Sequence, residues 1–284
     1  MAYRKHIHLL TPGLDCSTRW PIMLVHGVGF KRAERFRYFG DIPEALRTHG
    51  ALVFISDQDA WGSTESNAAQ LEVLALTMLE ELNVEKINII AHSKGGLDSR
   101  ALISLPSMKG RVASLTTLST PHKGSSCFNI LPRIPDLPKR VLATTLDAMW
   151  IMLGDEDPSC IYSCEAMSNP MMRFFNERYP LPEDVYVQSF TSVLRRFSAD
   201  MLFYPTTILI RIVEGPNDGL VAEAAAQFGD YRGVVNSTSD WGVSHQGIVD
   251  GVWFMRQRWP RRKDNFDIVD WWLAMVDDMR KQGF

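Results

Sequence analysis

An α/β architecture with a mostly parallel central sheet is the fold class this sequence predicts, and three observations predict it. Short β-type apolar runs alternate with stretches of helical periodicity from Pro21 to Met279. One of those runs, Ile87-Asn88-Ile89-Ile90, passes straight into Ala91-His92-Ser93-Lys94-Gly95-Gly96 and then into a helical pattern over Leu97 to Ser104. The 284 residues are also 45% hydrophobic, enough to bury one sizeable core.

Taken in order, Pro21 to Val25 reads as a buried strand ending at His26-Gly27-Val28-Gly29-Phe30, Ile42 to His49 as a short helix and Ala51 to Ser56 as the next strand. Asn67 to Leu82 places Leu71, Leu74, Leu76, Met78, Leu79 and Leu82 at helical spacing. Glu85 to Ile90 and Val112 to Leu118 follow as strands, Thr206 to Val213 as a β-rich run and Tyr231 to Asn236 as the last strand. Phe266 to Met279 closes the chain as an amphipathic helix. The alternation breaks once, over residues 125–204, which are far more than a crossover needs. This stretch carries Pro132, Pro135 and Pro138 and then Val141 to Leu153, apolar nearly all round. Residues 1–284 are therefore expected to form one domain, with a helical cap or lid inserted at about 125–204.

Composition excludes several classes. Charged residues make up 22% and the net charge is −3, which argues against a nucleic-acid partner. No stretch approaches 18 uninterrupted apolar residues, so no transmembrane segment is expected. Met1 to Leu14 lacks a signal-peptide core, from which a cytoplasmic location is expected unless a leader was removed. Of the four cysteines, Cys160 and Cys164 share a helix face and are the one disulfide candidate; free thiols are the default, and no zinc pattern appears.

The chemistry centres on Ser93. A strand, a sharp turn with serine at its apex and a helix make a nucleophile elbow, and the small residues Ala91 and Gly95 let strand and helix approach closely. The helix start also offers free N–H groups to a developing oxyanion. A capping serine in a glycine-rich turn is the plainer alternative. A catalytic serine needs a base and an acid, in chain order Ser, Asp or Glu, His. Of seven histidines only His122 and His245 follow Ser93; His122 leaves too little chain for an acid-bearing strand between, which leaves His245 as the base. Asp218, in a loop after Thr206 to Val213, is the preferred acid, with Glu214, Asp230 and Asp240 as rivals and a helix cap at Leu220 to Gln227 as its plainer role. The oxyanion donors are expected to be the backbone N–H groups of Lys94 and Val28, with Gly27 as second choice, and His26 is expected to brace that loop.

The chain resembles the bacterial true lipases of the Pseudomonas/Burkholderia/Proteus type, triacylglycerol lipases of the α/β-hydrolase superfamily. The matching pieces are His26-Gly27-Val28-Gly29-Phe30, Ile42 to Arg47, Ala91 to Gly96, Pro121-His122-Lys123-Gly124-Ser125, Arg173-Phe174-Phe175-Asn176 with Tyr179-Pro180, Asn217 to Val221, and Ser244-His245. The resemblance implies an α/β-hydrolase fold with a mobile lid, action on carboxylic esters and often on long-chain acylglycerols at an oil–water interface. It implies Ser93, Asp218 and His245 as catalytic residues and Val28 as second oxyanion donor. The chain departs from that family where many relatives place a calcium-binding aspartate two residues after the histidine, since Gly247 stands there. It also lacks the cysteine that some relatives carry after Asn-Asp-Gly-Leu-Val, and with it that disulfide.

The expected reaction is acyl transfer to water through an acyl-enzyme on Ser93, with no cofactor required and calcium left without its expected ligand. Trp150 and Met152 are the candidate acyl-chain contacts. The expected partners are a lipid or ester substrate and a lipid–water interface, and the apolar Val141 to Leu153 helix would serve equally as an oligomer surface. Two rivals stand beside this reading: a short-chain or specialised esterase or acyltransferase with the same triad, and a non-catalytic binding protein on the same fold.

Overall fold

Four-residue and longer apolar runs with both neighbours covered become the inner strands of a parallel sheet, because each face of such a strand must bury its side chains. The computed structural model describes residues 13–29, 31, 34, 36–196, 200, 203–235, 241–251 and 266–284. Its strands are β1 (Ile22–Val25), β2 (Val53–Ile55), β3 (Ile87–His92), β4 (Val112–Leu118), β5 (Tyr186–Thr191) and β6 (Asp230–Val234). They pair in the order β2-β1-β3-β4-β5-β6, with every pairing parallel. Alternation along β1 divides the core. Ile22 and Leu24 join Ile90, Leu118 and Trp272 on one face, while Met23 and Val25 join Ile87, Ile89, Ala91 and Leu115 on the other.

Helices cover both faces. On the first lie α1 (Ile42–Thr48) and the C-terminal α8 (Ile268–Lys281); on the second lie α2 (Thr64–Glu81) and α3 (Lys94–Ile103). Their ends follow local chemistry. Ser63 Oγ accepts from Ser66 N–H at the start of α2, and Asp267 Oδ1 accepts from Val269 N–H at the start of α8. Between β4 and β5 the chain forms α4 (Asp136–Leu153), α5 (Cys160–Ala166) and α6 (Asn169–Arg178), and between β5 and β6 it forms α7 (Tyr204–Val213).

Three expectations are corrected here. Thr206 to Val213, read as a strand, is part of α7: Pro205 starts the helix with its fixed φ, Thr207 and Ile210, three apart, are buried on one face, and Ile210 packs on Val221, Ala222 and Ala226. The strand it was taken for is β5, so the helical insertion expected over 125–204 contains a core strand near its C-terminal end. Leu220 to Gln227 is not an α-helix; only a 3₁₀ turn at Glu223–Ala225 forms there.

β1 leads to β2 on one side and β3 to β4 on the other, so the strand order reverses between β1 and β3. In an open parallel sheet, ligands gather at the carboxyl ends of the strands at such a point. The His26–Gly29 loop leaves β1 there, and Ser93 leaves β3 beside it.

Candidate active site

Ser93 follows β3 directly with φ 54° and ψ −131°, in the left-handed region that a side chain disfavours. The turn is tight enough to explain its small neighbours. A Cβ on Gly95 would lie 2.3 Å from the His26 carbonyl oxygen, and one on Gly96 would lie 2.1 Å from Thr120 Oγ1. Ser93 N–H donates to Leu118 O at 3.0 Å, which fixes the turn to β4.

The three residues singled out from sequence meet in one hydrogen-bonded chain. Ser93 Oγ lies 2.8 Å from His245 Nε2, and His245 Nδ1 lies 2.8 Å from Asp218 Oδ2. All three are buried. Asp218 Oδ1 accepts the N–H groups of Leu220 at 3.0 Å and Val221 at 2.9 Å, and Ser192 Oγ donates to Oδ2 at 3.3 Å. The acid is therefore held as an acceptor on both oxygens. Backbone contacts lock the two loops together: His245 N–H donates to Asp218 O at 2.9 Å, and Leu194 N–H, just past β5, donates to Asn217 O at 2.8 Å.

The rival acids stand elsewhere. Glu214 Oε1 accepts from Ser126 N–H at 2.6 Å, Asp230 on β6 accepts from Tyr186 at 2.7 Å, and Asp240 lies outside the described residues. His122 is buried in a separate network, with Nε2 3.1 Å from Thr117 Oγ1 and its ring stacked on Phe228 at 4.5 Å. Arg100 closes that network: it reaches His122, Asn176 Oδ1 and the Tyr179 carbonyl and lies 3.9 Å over the Phe228 ring, and burial pulls its pKa down to about 9. This accounts for the matching pieces Pro121-His122 and Arg173 to Asn176 as structural neighbours of α3.

The loop after β1 runs against the elbow. A Cβ on Gly27 would lie 2.7 Å from Ser93 Cβ, so any side chain there must push the loop and the nucleophile apart. Gly27 N–H is taken by Tyr38 Oη at 2.9 Å. Val28 packs with Leu97, Met167 and Met172. Lys94 is the first residue of α3, where a backbone N–H has no acceptor within the helix. Its side chain is buried and pairs with Asp98 at 2.8 Å, and burial raises the Asp98 pKa. His26 Nδ1 contacts Gly27 O at 2.8 Å within the loop, and burial brings the His26 pKa down to about 4.

Sequence reasoning missed Tyr38. Its hydroxyl also lies 2.7 Å from His92 Nδ1, and the His92 ring stands 4.6 Å from that of His245. A lone tyrosine in the turns between β1 and α1 carries no periodic or motif signal that could single it out. Burial, with the neighbouring His245, holds the His92 pKa well below the ordinary imidazole value.

Trp150 and Met152 part company. Trp150 packs against Trp61 with ring centroids 5.2 Å apart, and Trp61 Nε1 donates to Gly29 O at 3.1 Å, which brings Trp150 to the edge of the Gly27–Gly29 loop. Met152 is 88% exposed on α4. Of the two alternatives expected for Val141 to Leu153, burial or covering a cleft, burial is not what the structure shows: Val141, Met149, Ile151 and Met152 are all exposed. Cys160 and Cys164 are free thiols on α5. Gly247 offers no carboxylate, and among the described residues no three His, Cys, Asp or Glu side chains gather where they could hold a metal.

Comparison with known proteins fits this geometry. Residues 21–157 match the family model of palmitoyl protein thioesterases. A triacylglycerol lipase of Saccharomyces cerevisiae is 26% identical over 254 residues, 87% of this chain and 74% of its own length. One from Vibrio cholerae is 28% identical over 257 residues, 79% of this chain and 81% of its own. The crystal structure of Staphylococcus hyicus lipase superposes with a TM-score of 0.69 at 16% identity, covering 93% of this chain and 97% of that one. The chain has the α/β-hydrolase fold and is a carboxylic ester hydrolase.

Proposed function

We propose that the protein is a lipase that hydrolyses long-chain acyl esters, acylglycerols among them, through an acyl-enzyme on Ser93. The observation that carries this reading is the buried chain Ser93–His245–Asp218, with 2.8 Å at each link. Ser93 Oγ attacks the ester carbonyl as His245 Nε2 takes its proton. Asp218 holds the imidazole with Nδ1–H toward itself and stabilises the imidazolium. The N–H groups of Lys94 and Val28 receive the oxyanion, each worth about 3–4 kcal/mol in the transition state. His245 returns the proton to the leaving alcohol. Water, activated by the same imidazole, then attacks the acyl-enzyme and releases the acid. This chemistry is complete with side chains and backbone amides.

The acyl-chain assignment rests on α4. Its outward apolar residues are what a lid over a lipid surface would present, and Trp150 approaches the oxyanion loop through Trp61. On the strength of its motifs we further propose that the chain is of the Pseudomonas/Burkholderia/Proteus lipase type.

Hydrolysis of p-nitrophenyl esters from acetate to palmitate, with Ser93→Ala alongside and EDTA present or absent, tests the reading. Long-chain activity that Ser93→Ala abolishes and EDTA leaves unchanged is the expected result. Activity confined to short chains would replace the lipase by an esterase, and no activity on any chain would leave a binding protein.

A second reading has its own observation, the match of residues 21–157 to palmitoyl protein thioesterases. The same serine chemistry cleaves thioesters. A kcat/KM higher on palmitoyl thioesters than on p-nitrophenyl palmitate would favour it.

A further inference from the structure

Tyr38 sits where three parts of the site converge. Its hydroxyl accepts the Gly27 N–H of the loop after β1 at 2.9 Å. It lies 2.7 Å from Nδ1 of His92, the residue before Ser93. Its ring lies 5.5 Å from that of His26 and 5.8 Å from that of His92. Its segment is tied to the loop carrying His245, because Asp41 N–H donates to Asp250 Oδ2 at 3.0 Å. A phenol has one proton to give. With the Gly27 amide donating to the oxygen, that proton goes to His92 Nδ1, which stays an acceptor because buried His92 stays neutral. His92 is then the Nε2–H tautomer.

We propose that Tyr38 is a positioning residue for the reaction: its hydroxyl ties off the Gly27 amide, so that the next amide of the loop, Val28, is the one turned to the oxyanion. The crossing leaves little freedom. A Cβ on Gly27 would lie 2.9 Å from Tyr38 Oη as well as 2.7 Å from Ser93 Cβ, so the hydroxyl, the loop and the nucleophile form one close-packed stack. Removing the oxygen orphans two buried groups at once, the Gly27 N–H and His92 Nδ1. The loop then rotates to satisfy its amide, and the Val28 amide leaves its alignment. This inference rests on the proposed serine mechanism.

The test compares wild type and Tyr38→Phe in two assays: p-nitrophenyl ester hydrolysis, and the rate of Ser93 labelling by a fluorophosphonate, a reaction that also develops an oxyanion. If wild type is not labelled at Ser93, the serine mechanism itself fails. If it is labelled, the expected result for Tyr38→Phe is a fall of about 10–100-fold in both kcat and the labelling rate, with KM within twofold. A variant that labels and turns over within twofold of wild type overturns the proposal. So does a loss that appears only as a raised KM. Should Tyr38→Phe not fold, the pair His92→Leu and His92→Asn decides. Asn keeps an acceptor at the Nδ1 position and is expected to recover at least tenfold of the kcat that Leu loses, whereas equal losses overturn the proposal.

Discussion

Asp218 presents one carboxylate oxygen to His245 Nδ1 at 2.8 Å and the other to two backbone amides of its own loop. The orientation of the His245 ring and the architecture of the loop therefore depend on the same side chain, and substitutions should separate them. Asp218→Asn keeps an oxygen for the Leu220 and Val221 amides but turns an NH₂ toward His245, forcing the wrong tautomer. We expect kcat to fall by about 10⁴ with the fold intact. Asp218→Ala loses the acceptor as well and should unfold about 1–3 kcal/mol more easily. Urea denaturation beside steady-state kinetics checks both; equal stabilities would show that the two amides find other partners.

The glycines at the elbow differ in what they touch. A Cβ on Gly95 runs into backbone, the His26 carbonyl at 2.3 Å, which cannot swing aside. Gly95→Ala is expected to cost roughly 3 kcal/mol of stability, through overpacking of strand against helix. A Cβ on Gly27 meets Ser93 Cβ at 2.7 Å and the Tyr38 hydroxyl at 2.9 Å, both on the functional side, with the His92 carbonyl oxygen farther off at 3.0 Å. Gly27→Ala is expected to fold and to lose about 10²–10³ in kcat. Thermal melts of the two variants against their kcat values give the comparison, and a Gly27→Ala protein with wild-type kcat would sink it.

Much of this arrangement was legible in the sequence, and the reasons divide cleanly. The elbow and the loop after β1 were readable because tight backbone crossings demand small residues in fixed order, and Ala91, Gly95, Gly96 and Gly27 supply them. His245 emerged by elimination from seven histidines. Asp218, which the structure brings to His245, was placed after the wrong strand: Ile208 to Val213 is rich in β-branched residues, and Pro205 together with an amphipathic face outweighs that preference to make α7. The strand that carries the acid loop, Tyr186–Thr191, was hidden inside a stretch read as insertion because it is short and contains Gln188 and Ser189. Those two polar residues are buried through hydrogen bonds to Thr116 and the Phe228 amide, partners distant in sequence. Tyr38 and the exposure of Met152 depend on tertiary contacts alone, and no local pattern encodes them.

Three buried histidines set an acid limit. Burial lowers the His26 pKa from 6.5 to about 4 and holds those of His92 and His122 well below 6.5. The unfolded chain binds protons at these sites as the pH falls through 6.5, while the native state does not. Their contribution to stability is therefore complete above pH 6.5 and is lost as the pH falls toward 4, at up to about 1.4 kcal/mol per pH unit for each histidine. Urea titrations stepped across that window should show the midpoint falling with pH, steeply enough for more than one group. A flat profile would mean that the three rings are protonated in the native state.

The last prediction separates the acyl-chain reading from the chemistry. Met152 is 88% exposed and Ile151 56%, on a helix whose buried residues are Lys139 and Ala143. Lys139 pairs with Glu165 at 3.0 Å, Asp147 accepts the Cys160 amide at 2.8 Å, and Asp155, just past the helix, accepts the Ala60 and Trp61 amides at 3.2 and 2.9 Å, so α4 is held along one side while its apolar outer residues stay exposed. A charge at Met152 disturbs no packing, and Met152→Asp is expected to change stability by less than about 0.5 kcal/mol. On dissolved p-nitrophenyl acetate its kcat/KM should match wild type, because that substrate needs only the serine, the base and the oxyanion loop. On emulsified long-chain esters the added carboxylate must be desolvated wherever α4 meets lipid, and the rate is expected to fall about tenfold or more. Equal activity of wild type and Met152→Asp on the emulsion would remove α4 from contact with the acyl phase and leave the apolar face to another purpose.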